Sequence, residues 1–138
     1  MSHRVYLPLD LDRLAVLVSE RHLPGPLAAH AVTDALVEAW PDGDQEGWEY
    51  AALAAAGDES LAALIAGDSL RRRVVIAADV DEVTPRDGEP TAVSITGLQW
   101  RQVAAGHVDV ETLASSITDS DDGPELAWFA RQELAELS

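Results

Sequence analysis

Residues 72–80 read RRVVIAADV and contain the strongest strand signal of the chain, the apolar run at 74–78. Valine and isoleucine favour extended backbone because their branched side chains pack well on a pleated surface. A continuous apolar run of this length is typical of a strand that is covered on both faces. We therefore predict a central strand over 72–80, around which the rest of the chain packs.

The N-terminal segment predicts a strand followed by a helix. Residues 4–9, RVYLPL, are apolar, and Pro8 ends the hydrogen-bond ladder or places the strand at an edge. Asp10 is expected to cap the next helix, which stops near His22, before the breaker LPGP at 23–26. Apolar residues recur along this helix at helical spacing: Leu11, Leu14, Ala15 and Val18.

Residues 27–40 allow two interpretations. Either one helix continues to Trp40, or residues 27–32 form a short strand and Thr33 caps a new helix. The second interpretation gives a β-α-β opening, and it is favoured because a Thr-Asp pair is typical of a helix start.

A turn at 41–44 precedes a long alanine-rich segment. High helix propensity predicts one helix over 45–66. Gly57 lies inside it, where glycine costs about 1 kcal/mol relative to alanine and marks a kink or a division into two helices. The apolar stripe of this helix consists of Leu53, Leu61, Leu64 and Ile65.

Beyond the central strand, the pattern predicts two more strands. An exposed loop over 84–90 leads to a strand at 91–96, which ends at Gly97. We expect this strand to be the antiparallel hairpin partner of the central strand. Residues 100–108 form the next strand.

The C-terminal part predicts two helices. The first covers 110–117 with Asp109 as its N-cap, and the second has Pro124 in its first turn and ends near Leu137. Together the elements predict a single α+β domain over residues 1–138, with a four- or five-stranded mixed sheet packed against about four helices.

The missing residue types exclude several kinds of chemistry. The 138 residues carry 25 acids and nine bases, a formal charge of −16, and every base is an arginine. Because lysine is absent, a Schiff-base amine and a Walker-type phosphate loop are excluded. Because cysteine is absent, a thiol nucleophile, a disulfide, a zinc finger and an iron–sulfur site are excluded.

The excess of acids bears on partners and location. Phosphate contacts need clustered bases, so we expect no direct nucleic-acid or membrane binding, whereas a basic protein partner is compatible with the charge. No apolar run approaches the roughly 20 residues of a membrane span, and no secretory signal is present, so a cytoplasmic protein is expected. The motifs G-x-G-x-x-G and G-x-S-x-G are absent, and no cofactor is predicted.

His107, Asp109 and Asp79 are the candidates for a catalytic or metal site. Residues two apart on a strand share a face, so His107 and Asp109 can converge on one ligand. If Asp79 ends a neighbouring strand, it adds a second carboxylate, and the set suits a divalent cation. The alternative is structural: Asp109 caps the next helix, and His107 makes one hydrogen bond in the sheet.

The turn at 42–47 reads DGDQEG and places Asp42, Asp44 and Glu46 at the odd positions of a calcium loop. The bidentate glutamate needed at the twelfth position falls at Leu53, so the match fails where affinity is set. We interpret the segment as a turn whose acids favour the dipole of the following helix, and as candidate binding residues of an acidic surface.

A basic cluster and a tryptophan are further candidate binding residues. Arg71, Arg72 and Arg73 can clamp a carboxylate or a phosphate with their guanidinium forks. Alternatively, they are an exposed strand start that pairs with local acids. Trp128, on the predicted final helix, is an interface anchor if it is exposed and ordinary core if it is buried.

A further group of polar residues consists of His30, Asp34 and Glu38, which are spaced four residues apart. On one continuous helix they share a face, where a metal site or a solvated charge row is expected, the latter more strongly. If the helix begins at Thr33, His30 leaves this group.

Three segments together carry a family resemblance: RVYLPL at 4–9, LPGPLAAHAVT at 23–33 and ELAWFARQEL at 125–134. The chain resembles a domain-of-unknown-function family of small acidic proteins from high-GC Gram-positive bacteria. The resemblance covers most of the chain, including 74–79 and 107–109. It implies an intracellular bacterial protein with one domain, and it implies no activity and no catalytic residue.

Two functions are compatible with these observations. The first is a non-catalytic protein-binding or regulatory module, whose acidic surface engages a basic partner or mimics nucleic acid. The alternative is a metal-dependent hydrolase or metal-binding protein that uses the His/Asp cluster at a sheet edge.

Overall fold

The computed structural model describes residues 2–67, 72–109 and 126–137, which build one antiparallel sheet flanked by helices. The strands are β1 (His3–Leu9), β2 (His22–Ala31), β3 (Val74–Val80), β4 (Thr84–Pro85), β5 (Ala92–Gln99), β6 (Val103–Val108) and β7 (Ala127–Ala130). The helices are α1 (Leu11–Glu20), α2 (Asp34–Ala39), α3 (Gln45–Gly67) and α4 (Arg131–Leu137). The strands lie in the order β4-β5-β2-β1-β3-β6-β7.

The prediction of a four- or five-stranded mixed sheet is wrong. The described residues form seven strands, and every neighbouring pair is antiparallel. The α+β class agrees with the structure, which has four α-helices in its described part. The strand count was too low because short segments interpreted as loop or helix pair with open sheet edges.

The central strand is confirmed, but its expected partner is wrong. β3 lies between β1 and β6 and is buried except at the half-buried Asp79. β5 pairs with β2 and β4 instead, and it continues through Gly97, which lies opposite Pro24. Because β1 and β6 occupy both edges of β3, no edge is left for a hairpin with β5.

The favoured interpretation of residues 27–33 is confirmed, although the strand starts earlier than expected. β2 begins at His22 and includes the LPGP segment, with a register irregularity between Pro24 and Leu27. This irregularity takes Gly25 and Pro26 out of the ladder and so accommodates Pro26. A Cβ at Gly25 would overlap the carbonyl of Thr96, so this position needs a glycine where the β5 backbone comes close.

The predicted final helix is too long. Residues 127–130 form β7, and only Arg131–Leu137 are helical. A short apolar run is equally compatible with strand and helix, and here the open edge of β6 pairs with it, Gly106 opposite Phe129. The predicted helix at 110–117 and Pro124 lie outside the described residues.

Two of the three predicted helix caps, Asp10 and Thr33, are confirmed. The Asp10 carboxylate accepts a hydrogen bond from the backbone N–H of Arg13 at 2.7 Å, and the Thr33 hydroxyl accepts one from the N–H of Leu36 at 3.0 Å. α3 continues for 23 residues and is not divided at Gly57.

The segments beside β5 differ from the expectation in detail. Within the loop predicted over 84–90, Thr84–Pro85 form β4, and Arg86 is half-buried. The strand predicted over 100–108 begins only at Val103, since Trp100–Gln102 form a 3₁₀ turn.

Helices cover both faces of the sheet. Successive side chains of each strand point to opposite faces, so each face has its own apolar core. On one face, the main apolar cluster includes Leu14 and Leu17 of α1 and Leu134 of α4. The opposite face packs against α3. The residues of this second cluster are Tyr6, Ala52, Ala56, Val75 and Ala77. The small alanine side chains let α3 pack close to the sheet. We call the face of the molecule that α3 covers the α3 side.

Candidate functional site

The structure does not bring His107, Asp109 and Asp79 together. His107 lies opposite Val75 on β3, whereas Asp79 is four residues further along that strand, opposite Arg4. Four residues of antiparallel strand span about 13 Å, so Asp79 is remote from the other two. No group of three or more His, Asp or Glu positioned to hold a metal ion is found among residues 2–67, 72–109 and 126–137.

Asp109 is engaged in a buried ion pair. Its Oδ2 accepts hydrogen bonds from the backbone N–H and the Nε of Arg73 at 2.8 and 2.9 Å, and its Oδ1 accepts one from Nη2 at 2.8 Å. Arg72 donates from Nε to the Asp109 carbonyl at 2.8 Å. These contacts connect the end of β6 to the start of β3, so Arg72 and Arg73 have a structural role. Arg71 and the predicted helix at 110–117, which Asp109 was expected to cap, lie outside the described residues.

His107 and Asp79 have separate surroundings. Burial lowers the pKa of the half-buried His107, which favours the neutral imidazole. Asp79 accepts hydrogen bonds from Nε and Nη2 of Arg4 at 2.8 and 3.2 Å in an exposed pair. The two side chains therefore lie in separate environments.

The acidic turn between α2 and α3 is closely packed. Asp44 Oδ1 accepts a hydrogen bond from the N–H of Gly47 at 2.8 Å and so caps α3. The indole of Trp48 donates to the Trp40 carbonyl at 3.0 Å. A Cβ on Gly43 would come within 2.6 Å of the Trp48 indole nitrogen, so the two tryptophans hold the turn in one conformation. Asp42 and Glu46, together with Asp44, are exposed.

Residues 32–66 form what we call the acidic surface. This segment contains α2, the turn and α3 as far as Ala66, and it carries eight acids and no arginine. The acids are Asp34, Glu38, Asp42, Asp44, Glu46, Glu49, Asp58 and Glu59. Two large aromatic side chains on the same segment are exposed, Trp40 at 44% and Tyr50 at 70%.

Further acids reach the α3 side from elsewhere in the chain. Asp79 alternates with Val75 and Ala77, which pack against α3, so its side chain is on that side of the sheet. Glu89 lines a cavity together with Asp58 and Glu59 of α3. Acids from 32–66 and from 79–89 therefore meet on one side of the molecule.

The same cavity contains a polar network that the sequence reasoning missed. His30 is 2% exposed on β2 and not on a helix, so the row with Asp34 and Glu38 does not form. Its Nδ1 contacts the Thr91 hydroxyl at 2.7 Å, and its Nε2 donates to Glu59 Oε1 at 2.8 Å. The cavity has a volume of about 430 Å³.

Arg86 completes this network. It donates from Nη2 to Glu59 Oε1 at 2.8 Å and from Nε to the Val93 carbonyl at 2.7 Å. Burial raises the pKa of Glu59, but the hydrogen bonds from Arg86 and His30 outweigh burial, so the pKa lies below its ordinary value. A signal in the sequence was Arg86 itself, the one base among the five acids of 79–89.

The network has the order hydroxyl–imidazole–carboxylate that is familiar from hydrolases. Thr91 and His30 are both buried within the fold, however. We therefore interpret the network as a connection between β2, α3 and the start of β5. Through this network, the buried polar groups of His30 and Thr91 have hydrogen-bond partners.

Trp128 is exposed, at 62%, and lies on β7 opposite His107 and not on a helix. Its side chain is therefore available on the surface of an edge strand. No helix in the described ranges has the length and hydropathy required to cross a membrane.

Comparison with known proteins identifies a family. The chain belongs to the family of unknown function DUF6912, whose model matches residues 3–137. No curated protein and no solved structure matches the chain significantly.

Proposed function

We propose that this protein is a non-catalytic binding module that engages a basic protein partner through the acidic surface. The observation that carries the proposal is the composition of residues 32–66, which have eight acids, no arginine and two exposed aromatic rings. Arginine and lysine side chains are attracted both by carboxylates and by the faces of aromatic rings. Trp40 and Tyr50 therefore offer anchor positions within a field of negative charge.

The shape of the surface supports the same function. The turn is held by the Asp44 cap and by the Trp48–Trp40 hydrogen bond, so its carboxylates are presented on a rigid element. A preorganised surface loses less conformational entropy when it binds. If the partner is itself a nucleic-acid-binding protein, the carboxylates stand in for phosphates, and nucleic acid then competes with this protein for the partner.

The test compares two triple variants of equal charge. In the first, Asp42→Asn, Asp44→Asn and Glu46→Gln neutralise the turn while asparagine keeps the capping ability at position 44. In the second, Asp12→Asn, Glu20→Gln and Glu136→Gln neutralise three exposed acids of α1 and α4. The probe is a fluorescent peptide of alternating arginine and glycine, whose Kd is measured by anisotropy at 50 and 200 mM NaCl.

We expect the turn variant to weaken peptide binding about tenfold and to reduce its salt dependence, since three favourable charge contacts are lost. The α1/α4 variant is expected to bind like the original protein. Equal weakening in both variants would show that binding follows net charge alone and would overturn the proposal. Absence of peptide binding at low salt would also overturn it.

We also infer that the protein acts in the cytoplasm of a high-GC Gram-positive bacterium. The absence of cysteine and the arginine-only set of bases support this inference, because disulfides are not needed there and GC-rich codons favour arginine over lysine. Fractionation of the source cells is expected to recover the protein with cytosolic markers, and recovery from the medium would contradict the inference.

A further inference from the structure

Three of the nine arginines converge at one end of the sheet, although they are far apart in the chain. Arg21 directly follows α1, Arg101 is in the 3₁₀ turn before β6, and Arg131 is the first residue of α4. Together with Gln99 and Trp100 they line a cavity of about 490 Å³, which we call the arginine cleft. The cleft is wide open to solvent.

The arginines of the cleft are held in place by contacts with uncharged groups. The Trp100 N–H donates to the Arg21 carbonyl at 2.9 Å, and the Arg21 guanidinium lies 5.8 Å from the centroid of the Trp100 ring. Arg101 donates from Nε to Gln99 Oε1 at 2.6 Å, and Arg131 donates from Nη1 to the Arg101 carbonyl at 3.4 Å. None of these contacts neutralises a charge.

The cleft differs from the environment of the other described arginines. The ion pairs of the described residues involve Arg4, Arg73, Arg86 and His30, and none involves Arg21, Arg101 or Arg131. In a chain of charge −16, three arginines thus line one cavity without a carboxylate partner in the described part of the structure. Like charges in one cavity repel each other, and a bound anion relieves that repulsion.

We propose that the arginine cleft binds the phosphate group of a small molecule. A phosphate monoester carries nearly two negative charges and three acceptor oxygens, which match several guanidinium forks better than a single carboxylate does. Acids further away are screened over about 8 Å at physiological ionic strength, so the local arginines dominate the potential in the cleft. This site is separate from the acidic surface of the proposed function.

The test measures binding of inorganic phosphate and of phenyl phosphate by isothermal titration calorimetry at constant ionic strength, with acetate as the carboxylate comparison. The variants are Arg101→Gln and Arg131→Gln. The matched control is Arg13→Gln, which removes the same charge from an exposed position on α1 outside the cleft. Circular dichroism verifies that each variant is folded.

We expect both phosphates to bind more tightly than acetate. Each cleft variant is expected to raise the phosphate Kd about tenfold or more, since each loses a charged hydrogen bond, whereas Arg13→Gln leaves Kd unchanged. No binding of either phosphate, or equal weakening by the control, would overturn the proposal. Tighter binding of acetate would also overturn it, because it would show carboxylate specificity.

Discussion

Burial determines what a charged side chain does in this protein. Asp109 and Arg73 are both buried, and the Asp109 carboxylate accepts three hydrogen bonds from Arg73. Asp79 and Arg4 form a comparable pair, but each side chain retains a large exposed area. The two acids have similar positions in the chain, because each lies at or just beyond the end of a strand. Their environments, and hence the free energy that each contributes, were not visible in the sequence.

Replacing these two acids is expected to have different consequences. Asp109→Ala leaves the buried Arg73 guanidinium without its carboxylate and should lower the free energy of unfolding by about 3–5 kcal/mol. Asp79→Ala removes an exposed pair and should cost less than about 1 kcal/mol. Urea unfolding followed by far-UV circular dichroism measures both values. Similar costs for the two variants would contradict the role assigned to burial.

At the scale of elements, the errors of the sequence analysis arise where pairing with a distant strand decides the local structure. The run at 127–130 is compatible with either strand or helix, and it forms β7 because the edge of β6 is open to it. The LPGP segment resembles a breaker, but a register irregularity lets β2 continue through it. In contrast, the caps Asp10 and Thr33 depend on contacts only three residues away, and these were predicted correctly.

Substitutions of two glycines test how closely α4 and α3 pack against neighbouring residues. A Cβ on Gly106 would lie 2.5 Å from Cδ2 and 3.2 Å from Cγ of the fully buried Leu134, so Gly106→Ala should displace α4 and cost about 1–3 kcal/mol. A Cβ on Gly57 would lie 3.6 Å from Leu126, which is an ordinary contact.

The matched substitution Gly57→Ala is therefore expected to stabilise the protein by about 0.5–1 kcal/mol through helix propensity. Thermal unfolding of both variants gives the comparison. A stabilising Gly106→Ala would show that α4 does not pack on β6 as described, and a destabilising Gly57→Ala would show that α3 is more tightly packed than the structure indicates.

At the scale of the whole molecule, the fold places the arginine cleft apart from the acidic surface. The helix layer of α3 and the turn before it carry acids, whereas the arginine cleft lies at the end of the sheet where α1 ends and α4 begins. The sheet itself has β1 in its middle position and the short strands β4 and β7 at its ends. Stability should therefore decrease from the centre of the sheet toward both edges.

Amide hydrogen exchange tests this gradient. We expect the slowest exchange in β1 and β3, because both are buried and have partners on each side. The hydrogen-bonded amides of β7 should exchange much faster, since this strand is short and has one described neighbour. Mass spectrometry of peptic fragments resolves these segments after correction for intrinsic rates. Slowest exchange in β7 would contradict the sheet order.

The candidate sites differ in whether they could be identified from the sequence. The acidic turn at 42–46 was identified from composition, because a run of acids without a base needs no knowledge of the fold. The His30 network and the arginine cleft were not identified. His30 contacts Thr91 and Glu59, which are 61 and 29 residues away, and Arg21 and Arg101 are 80 positions apart.

The amino-acid sequence was sufficient for the α+β class, the buried strand β3, the helix caps and the acidity of residues 32–66. These features depend on composition or on neighbours within a few positions, where propensity and hydrogen bonding act locally. The strand order, β7, the buried Arg73–Asp109 pair and the arginine cleft arose only in the folded chain. They depend on which distant residues share an edge or a cavity, and burial and pairing energies are set only after those residues have been brought together.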